Sequence, residues 1–169
     1  MVPCQVNDSE FKSELLLSYQ DSGYYPALIN MKISFYKNVT YLVKNDHNIF
    51  KKYSLHLEDI VTIDVNGEGE SYAKIRAIFS HKYNDGCIYA FIAVDWFEET
   101  NQKNELLECP FYKMQSTKNR NWRQIYPLMV IDQVNKANFV HNCLGDKCVD
   151  GHDLTNMYYL KNNYFFVAI

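Results

Sequence analysis

The stretch from Gly67 to Thr100, GEGESYAKIRAIFSHKYNDGCIYAFIAVDWFEET, restricts what this chain can fold into more than any other. It reads as two consecutive strands around a polar turn. On the first strand Ala73, Ile75, Ala77 and Phe79 alternate with Tyr72, Lys74 and Arg76, the two-residue period of a half-buried strand. Asn84, Asp85 and Gly86 supply the turn, because such residues tolerate positive φ. The second strand, Ile88 to Phe97, is apolar at nearly every position, which predicts cover on both faces. Pairing the two strands puts Tyr72 and Trp96 on neighbours, close to Glu98 and Glu99. Aromatic faces beside carboxylates make a pocket for an ammonium group.

Elsewhere the pattern is one of short strands. Glu10 to Tyr19 predicts a short helix capped by Ser9 or Asp8, and Asp21-Ser22-Gly23 breaks it. Met31 to Val43 holds two short strands with a turn at Lys37-Asn38, and Asn45 to Tyr53 reads as a polar loop. Ile60 to Val65 is a strand, followed by the acidic, glycine-rich turn Asn66 to Glu70. After Trp96 a polar connection, Glu98 to Glu105, leads to a strand within Leu106 to Met114, which Pro110 assigns to a sheet edge. Trp122 to Val134 fits a strand after Pro127 or a short helical turn. Asn138 to Cys143 and Met157 to Ile169 close the chain as strands, the latter with a turn at Asn162-Asn163. The expected fold is mostly β, a compact sandwich or barrel with short peripheral helices. Residues 1–23 form an N-terminal extension and 24–169 the β domain.

A chain of 169 residues with 47% apolar content suits one domain with a real core. Its net charge of −3 argues against non-specific nucleic-acid binding by the whole surface. No apolar run approaches the ~20 residues of a membrane span, so no membrane partner is expected. No charged region followed by an apolar stretch opens the chain, so no secretory leader is expected. The cysteines, Cys4, Cys87, Cys109, Cys143 and Cys148, are odd in number and scattered. That fits an intracellular protein with free or metal-bound thiols.

Three blocks, Ser71 to Phe79 (SYAKIRAIF), Ala93 to Thr100 (AVDWFEET) and Ile125 to Cys143 (IYPLMVIDQVNKANFVHNC), occur in an order that resembles a bromo-adjacent homology (BAH) domain. The matching positions are Tyr72, Ala73, Lys74, Ile75, Trp96, Phe97, Glu98, Glu99, Pro127, Val140 and His141. Leu57 to Ile63 stands where the family's Gly-Asp-x-Val strand lies. The resemblance covers roughly Tyr53 to Ile169, and it extends to BAH-like modules of fungal or transposon-derived proteins. It implies a distorted β-barrel in a nuclear, chromatin-associated protein, and in some members an aromatic cage for methylated lysine on a histone tail. Tyr72 and Trp96 match cage positions. Where some members have a further aromatic, this chain has Glu98, which suits an ammonium that retains N–H donors. Tyr112 and Trp122 are the candidates for a third wall.

Four other groupings carry chemistry. His141, Cys143, Cys148 and His152 share one short segment and are the ligand types zinc takes, although the spacing is not that of a finger or ribbon. The same residues supply the types, but nothing more, for a Cys-His nucleophile. Ser116 to Arg123 (STKNRNWR) is a basic loop with an aromatic, which offers phosphates a local contact through Lys118, Arg120 and Arg123. Asp64 to Glu70 is acidic but lacks the pattern of a calcium loop. The resulting expectation is a non-catalytic interaction module that binds a protein or histone peptide and needs no cofactor. The alternative is a nucleic-acid-associated or scaffolding module of a transposon-derived protein.

Overall fold

Two long strands organise the molecule: β5 (Glu70–Lys82) and β6 (Ile88–Lys103). They form an antiparallel hairpin from Lys82↔Ile88 to Ala73↔Trp96. Gly86 sits at φ 83° in its turn, and the Asp85 carboxylate accepts the Cys87 N–H at 2.8 Å. The computed structural model describes residues 8–25, 27, 31–44, 48–64, 70–115, 123–131, 137–141 and 158–162. Each long strand serves two partners along its outer edge. β5 pairs with β4 (Ile60–Asp64) at one end and with β1 (Ile33–Tyr36) at the other. β6 pairs with β8 (Ile125–Pro127) near Phe91 and with β7 (Pro110–Met114) beyond Trp96. β10 (Tyr158–Lys161) joins β7, and β9 (Phe139–His141) joins β10. The result is a mostly β molecule whose sheet curls into a half-barrel, as in a distorted β-barrel. A separate ribbon pairs β2 (Asn38–Lys44) with β3 (Phe50–His56).

The alternation expected along β5 holds only in part. Ile75 pairs with Val94 but Ala77 pairs with Ala93, so Arg76 is an extra residue in the ladder. A bulge of this kind shifts every later side chain to the other face. Ile78 therefore joins Ala73 and Ile75 in one core cluster with Val94, Trp96 and Tyr126. Phe79 instead packs with Leu15, Tyr19 and Phe91. Arg76 itself turns outward, at 2.9 Å from Glu58 and 3.0 Å from Asp95.

The helix α1 (Asp8–Asp21) belongs to this second cluster. Phe11, Leu15 and Tyr19 recur at four-residue spacing and make one apolar stripe, with Leu15 and Tyr19 fully buried. Ser18 donates to the Ile125 carbonyl at 2.6 Å, and the Glu14 carboxylate accepts the N–H groups of Gln124 and Ile125 at 2.9 Å each. The helix thus supplies part of the core and caps the free edge of β8. Within the expected N-terminal extension, α1 packs on the β domain through these contacts.

Three expectations change. The segment expected as a polar loop up to Tyr53 is strand from Phe50 onward, because Lys44, Val43 and Leu42 supply a partner ladder. β6 runs through the expected connection to Lys103, because β7 pairs with its polar end. β7 is an interior strand between β6 and β10, and Pro110 is tolerated as its first residue. Lys37 is a bend that passes the chain from β1 in the large sheet to β2 in the ribbon.

Candidate functional site

Tyr72 and Trp96 lie on adjacent strands but on opposite faces. Trp96 is opposite Ala73, so it shares the Ala73 face, and Tyr72 takes the other. Trp96 is 2% exposed. Its indole N–H donates to the Arg123 carbonyl at 2.7 Å, and its ring meets Tyr126 edge-on at 5.6 Å. The indole is core, and it is not a wall shared with Tyr72.

Tyr72 is also largely buried, in a cluster with Phe97 and Tyr112. Its ring meets Tyr112 edge-on at 5.7 Å and Phe139 at 5.4 Å. Its hydroxyl donates to the Glu70 carboxylate at 3.0 Å. Tyr112 stands directly across from Glu99 in the β6–β7 ladder and donates to it at 3.2 Å. Burial, and then the charge of Glu99, push the Tyr112 phenol well above its ordinary pKa, so it is a neutral donor. Glu98 faces the other way, half exposed and 3.6 Å from Lys113. A hollow of about 280 Å³ lies at this end of the sheet, bordered by Glu70, Tyr72, Phe97, Glu98, Glu99 and Tyr112. Trp96 and Gln115 also line it, and the Gln115 N–H donates to the Trp96 carbonyl at 2.9 Å.

One cation is already in place. The Lys161 ammonium stands 4.3 Å from the centroid of the Tyr72 ring and donates to the Tyr72 hydroxyl. Lys161, Tyr72 and Glu70 form a chain in which the proton-rich group donates to a phenol that donates to a carboxylate. This arrangement can stabilise an ammonium by cation–π attraction and by charge. The sequence reading missed Lys161, and missed Phe139 as a wall. Lys161 carries no local motif, and only the β7–β10–β9 pairing brings it to Tyr72. Glu70 had been noticed only as part of an acidic turn.

The remaining candidates separate. Trp122, Cys143, Cys148 and His152 lie outside the described residues. His141 is on β9 with its ring 5.2 Å from Tyr159. Among the described residues no group of three or more His, Cys, Asp or Glu side chains is arranged to hold a metal ion. Cys87 is an exposed free thiol and Cys109 a buried one. Of the basic loop only Arg123 is described, and its guanidinium is engaged by Asp21 at 2.6 Å and by the Tyr126 ring at 4.5 Å. No described helix is long and apolar enough to cross a membrane.

A larger cleft of about 590 Å³ opens between α1, the β2–β3 ribbon and the turn after β8, with Tyr24, Tyr41, Tyr89 and Leu128 in its walls. Tyr24 and Tyr89 are paired at its rim, whereas the buried Tyr41 hydroxyl has no hydrogen-bond partner among the described residues. Tyr89 has one hydroxyl proton, so it donates to Asp85 at 2.7 Å and accepts from Tyr24 at 2.8 Å. Comparison with family models, curated proteins and solved structures returned no match.

Proposed function

We propose that this protein is a non-catalytic, BAH-like interaction module of chromatin that receives a lysine side chain of a basic peptide, such as a histone tail, in the acidic hollow beside Tyr72 and Tyr112. One observation carries this reading. Glu70, Glu98 and Glu99 border a single hollow together with two tyrosines, and the Tyr72 ring already seats an ammonium, that of Lys161. Such a seat gives ~0.5–2 kcal/mol per well-placed cation. The carboxylates favour an ammonium that keeps N–H donors over a fully methylated one. The Trp96 indole belongs to the core on the Ala73 face.

The test is an array of histone-tail peptides carrying unmodified, mono-, di- and trimethylated lysine, read with wild type and with Glu99→Gln. Circular dichroism establishes that both proteins are folded. Selective binding of unmodified or monomethylated peptides that weakens in folded Glu99→Gln supports the reading. A preference for trimethyllysine, or binding indifferent to Glu99→Gln and Glu98→Gln, removes the hollow as the site.

A further inference from the structure

We infer that the outward face of the β2–β3 ribbon is a docking surface for the phosphate backbone of duplex nucleic acid. The register places Thr40 opposite Ser54, Leu42 opposite Lys52, and Lys44 opposite Phe50, all on one exposed face that Asn38 and His56 extend. Of those eight residues only Leu42 and Phe50 are apolar, and the other six carry N–H or O–H donors. These are the side-chain types that contact phosphate and sugar. No described residue of the ribbon is acidic, and the whole segment from Asn38 to His56 has three lysines against the single acid Asp46. The chain as a whole carries −3, so the ribbon is a local reversal of the protein's charge.

Lys74, Arg76, Lys113 and Arg123 each meet a carboxylate. Among the described residues Lys44, Lys51 and Lys52 meet none. On this face Lys44 stands 6.0 Å from the Phe50 ring, while Lys51, paired with Val43, lies on the other face 5.3 Å from the Tyr53 ring. A two-stranded ribbon is narrow enough to enter a major groove. A face that inserts into lipid needs the opposite balance, with apolar residues dominant. This surface is separate from the acidic hollow, and the inference does not depend on the reading of that hollow.

The experiment is fluorescence anisotropy of a short labelled DNA duplex with the full chain across a salt series. Two phosphates neutralised by Lys44 and Lys52 give a slope of log K against log salt of about −1.8, so raising salt from about 50 to about 200 mM weakens binding about twelve-fold. In Lys44→Gln/Lys52→Gln the same salt step weakens binding less than about two-fold. The substituted side chains are exposed, and circular dichroism verifies folding. A double variant that keeps the wild-type slope overturns the inference, as does a folded wild type that does not bind the duplex. Phosphatidylserine vesicles serve as the rival probe. Vesicle binding lost in Leu42→Ser/Phe50→Ser, with no duplex binding, overturns it in favour of a lipid surface.

Discussion

The two faces of the β5–β6 hairpin, one residue apart at Ala73 and Tyr72, show how differently the same strand can use its aromatics. On the Ala73 face Trp96 packs with Ile75, Val94 and Tyr126, and its one polar atom is satisfied by a carbonyl. On the Tyr72 face the two phenols donate to carboxylates, and a lysine rests on one ring. Aromatic content does not distinguish the faces. The partner of each polar atom does: a backbone carbonyl marks packing, while a carboxylate at a hollow marks a place for positive charge.

The sharpest way to break this contrast is to delete Arg76. Removing the bulge residue exchanges the faces of Ile78 and Phe79 and puts both clusters out of register. The expected outcome is the largest of any single change, loss of a cooperative urea transition followed by circular dichroism. Trp96→Ala comes next. It should cost ~3–5 kcal/mol in the same titration, as for a large core aromatic. A Trp96→Ala protein as stable as wild type would mean that the indole is not core.

Tyr72→Phe should be milder, ~1–3 kcal/mol, since the hydroxyl's hydrogen bonds to Glu70 and from Lys161 are lost and the ring stays. Its diagnostic effect is on peptide binding, because the Lys161–Tyr72–Glu70 chain is broken while the cation–π seat remains. Isothermal titration with a lysine peptide should show weakened, not abolished, binding.

The smallest effect is a dependence on alkaline pH. Burial, and secondarily the neighbouring Tyr53, push the Tyr41 phenol up from 10.0 to about 12. The folded state keeps that proton where the unfolded chain has released it, so the unfolded state binds fewer protons and stability falls as pH rises. The contribution is complete below about pH 10 and is lost toward about pH 12. Tyr112 shifts in the same direction, chiefly through burial. Denaturation midpoints should be flat from neutral pH to pH 9 and decline beyond, roughly. Phenolate absorbance should appear together with unfolding.

The β5–β6 hairpin, its turn and the helix were legible because each signal is local: a two-residue period, Asn-Asp-Gly, and a stripe of Phe11, Leu15 and Tyr19. The bulge at Arg76 was not, since the run Ala73 to Phe79 fits an unbroken strand equally well. Glu99 and Tyr112 were correctly singled out as neighbours of Tyr72, whereas Trp96 was grouped with Tyr72 because adjacency of strands was read without register. Glu98 borders the same hollow, with its carboxylate 3.6 Å from Lys113.

From residue order alone come the β-rich class and the β5–β6 hairpin, because these depend on composition and on neighbours within a few positions. The tertiary structure alone decided which face each aromatic takes, that α1 completes the core, and that Lys161 reaches Tyr72 from 89 positions away in the chain. The physical reason is that side-chain facing and long-range charge pairing depend on strand register, and register is set jointly by every strand that shares the sheet.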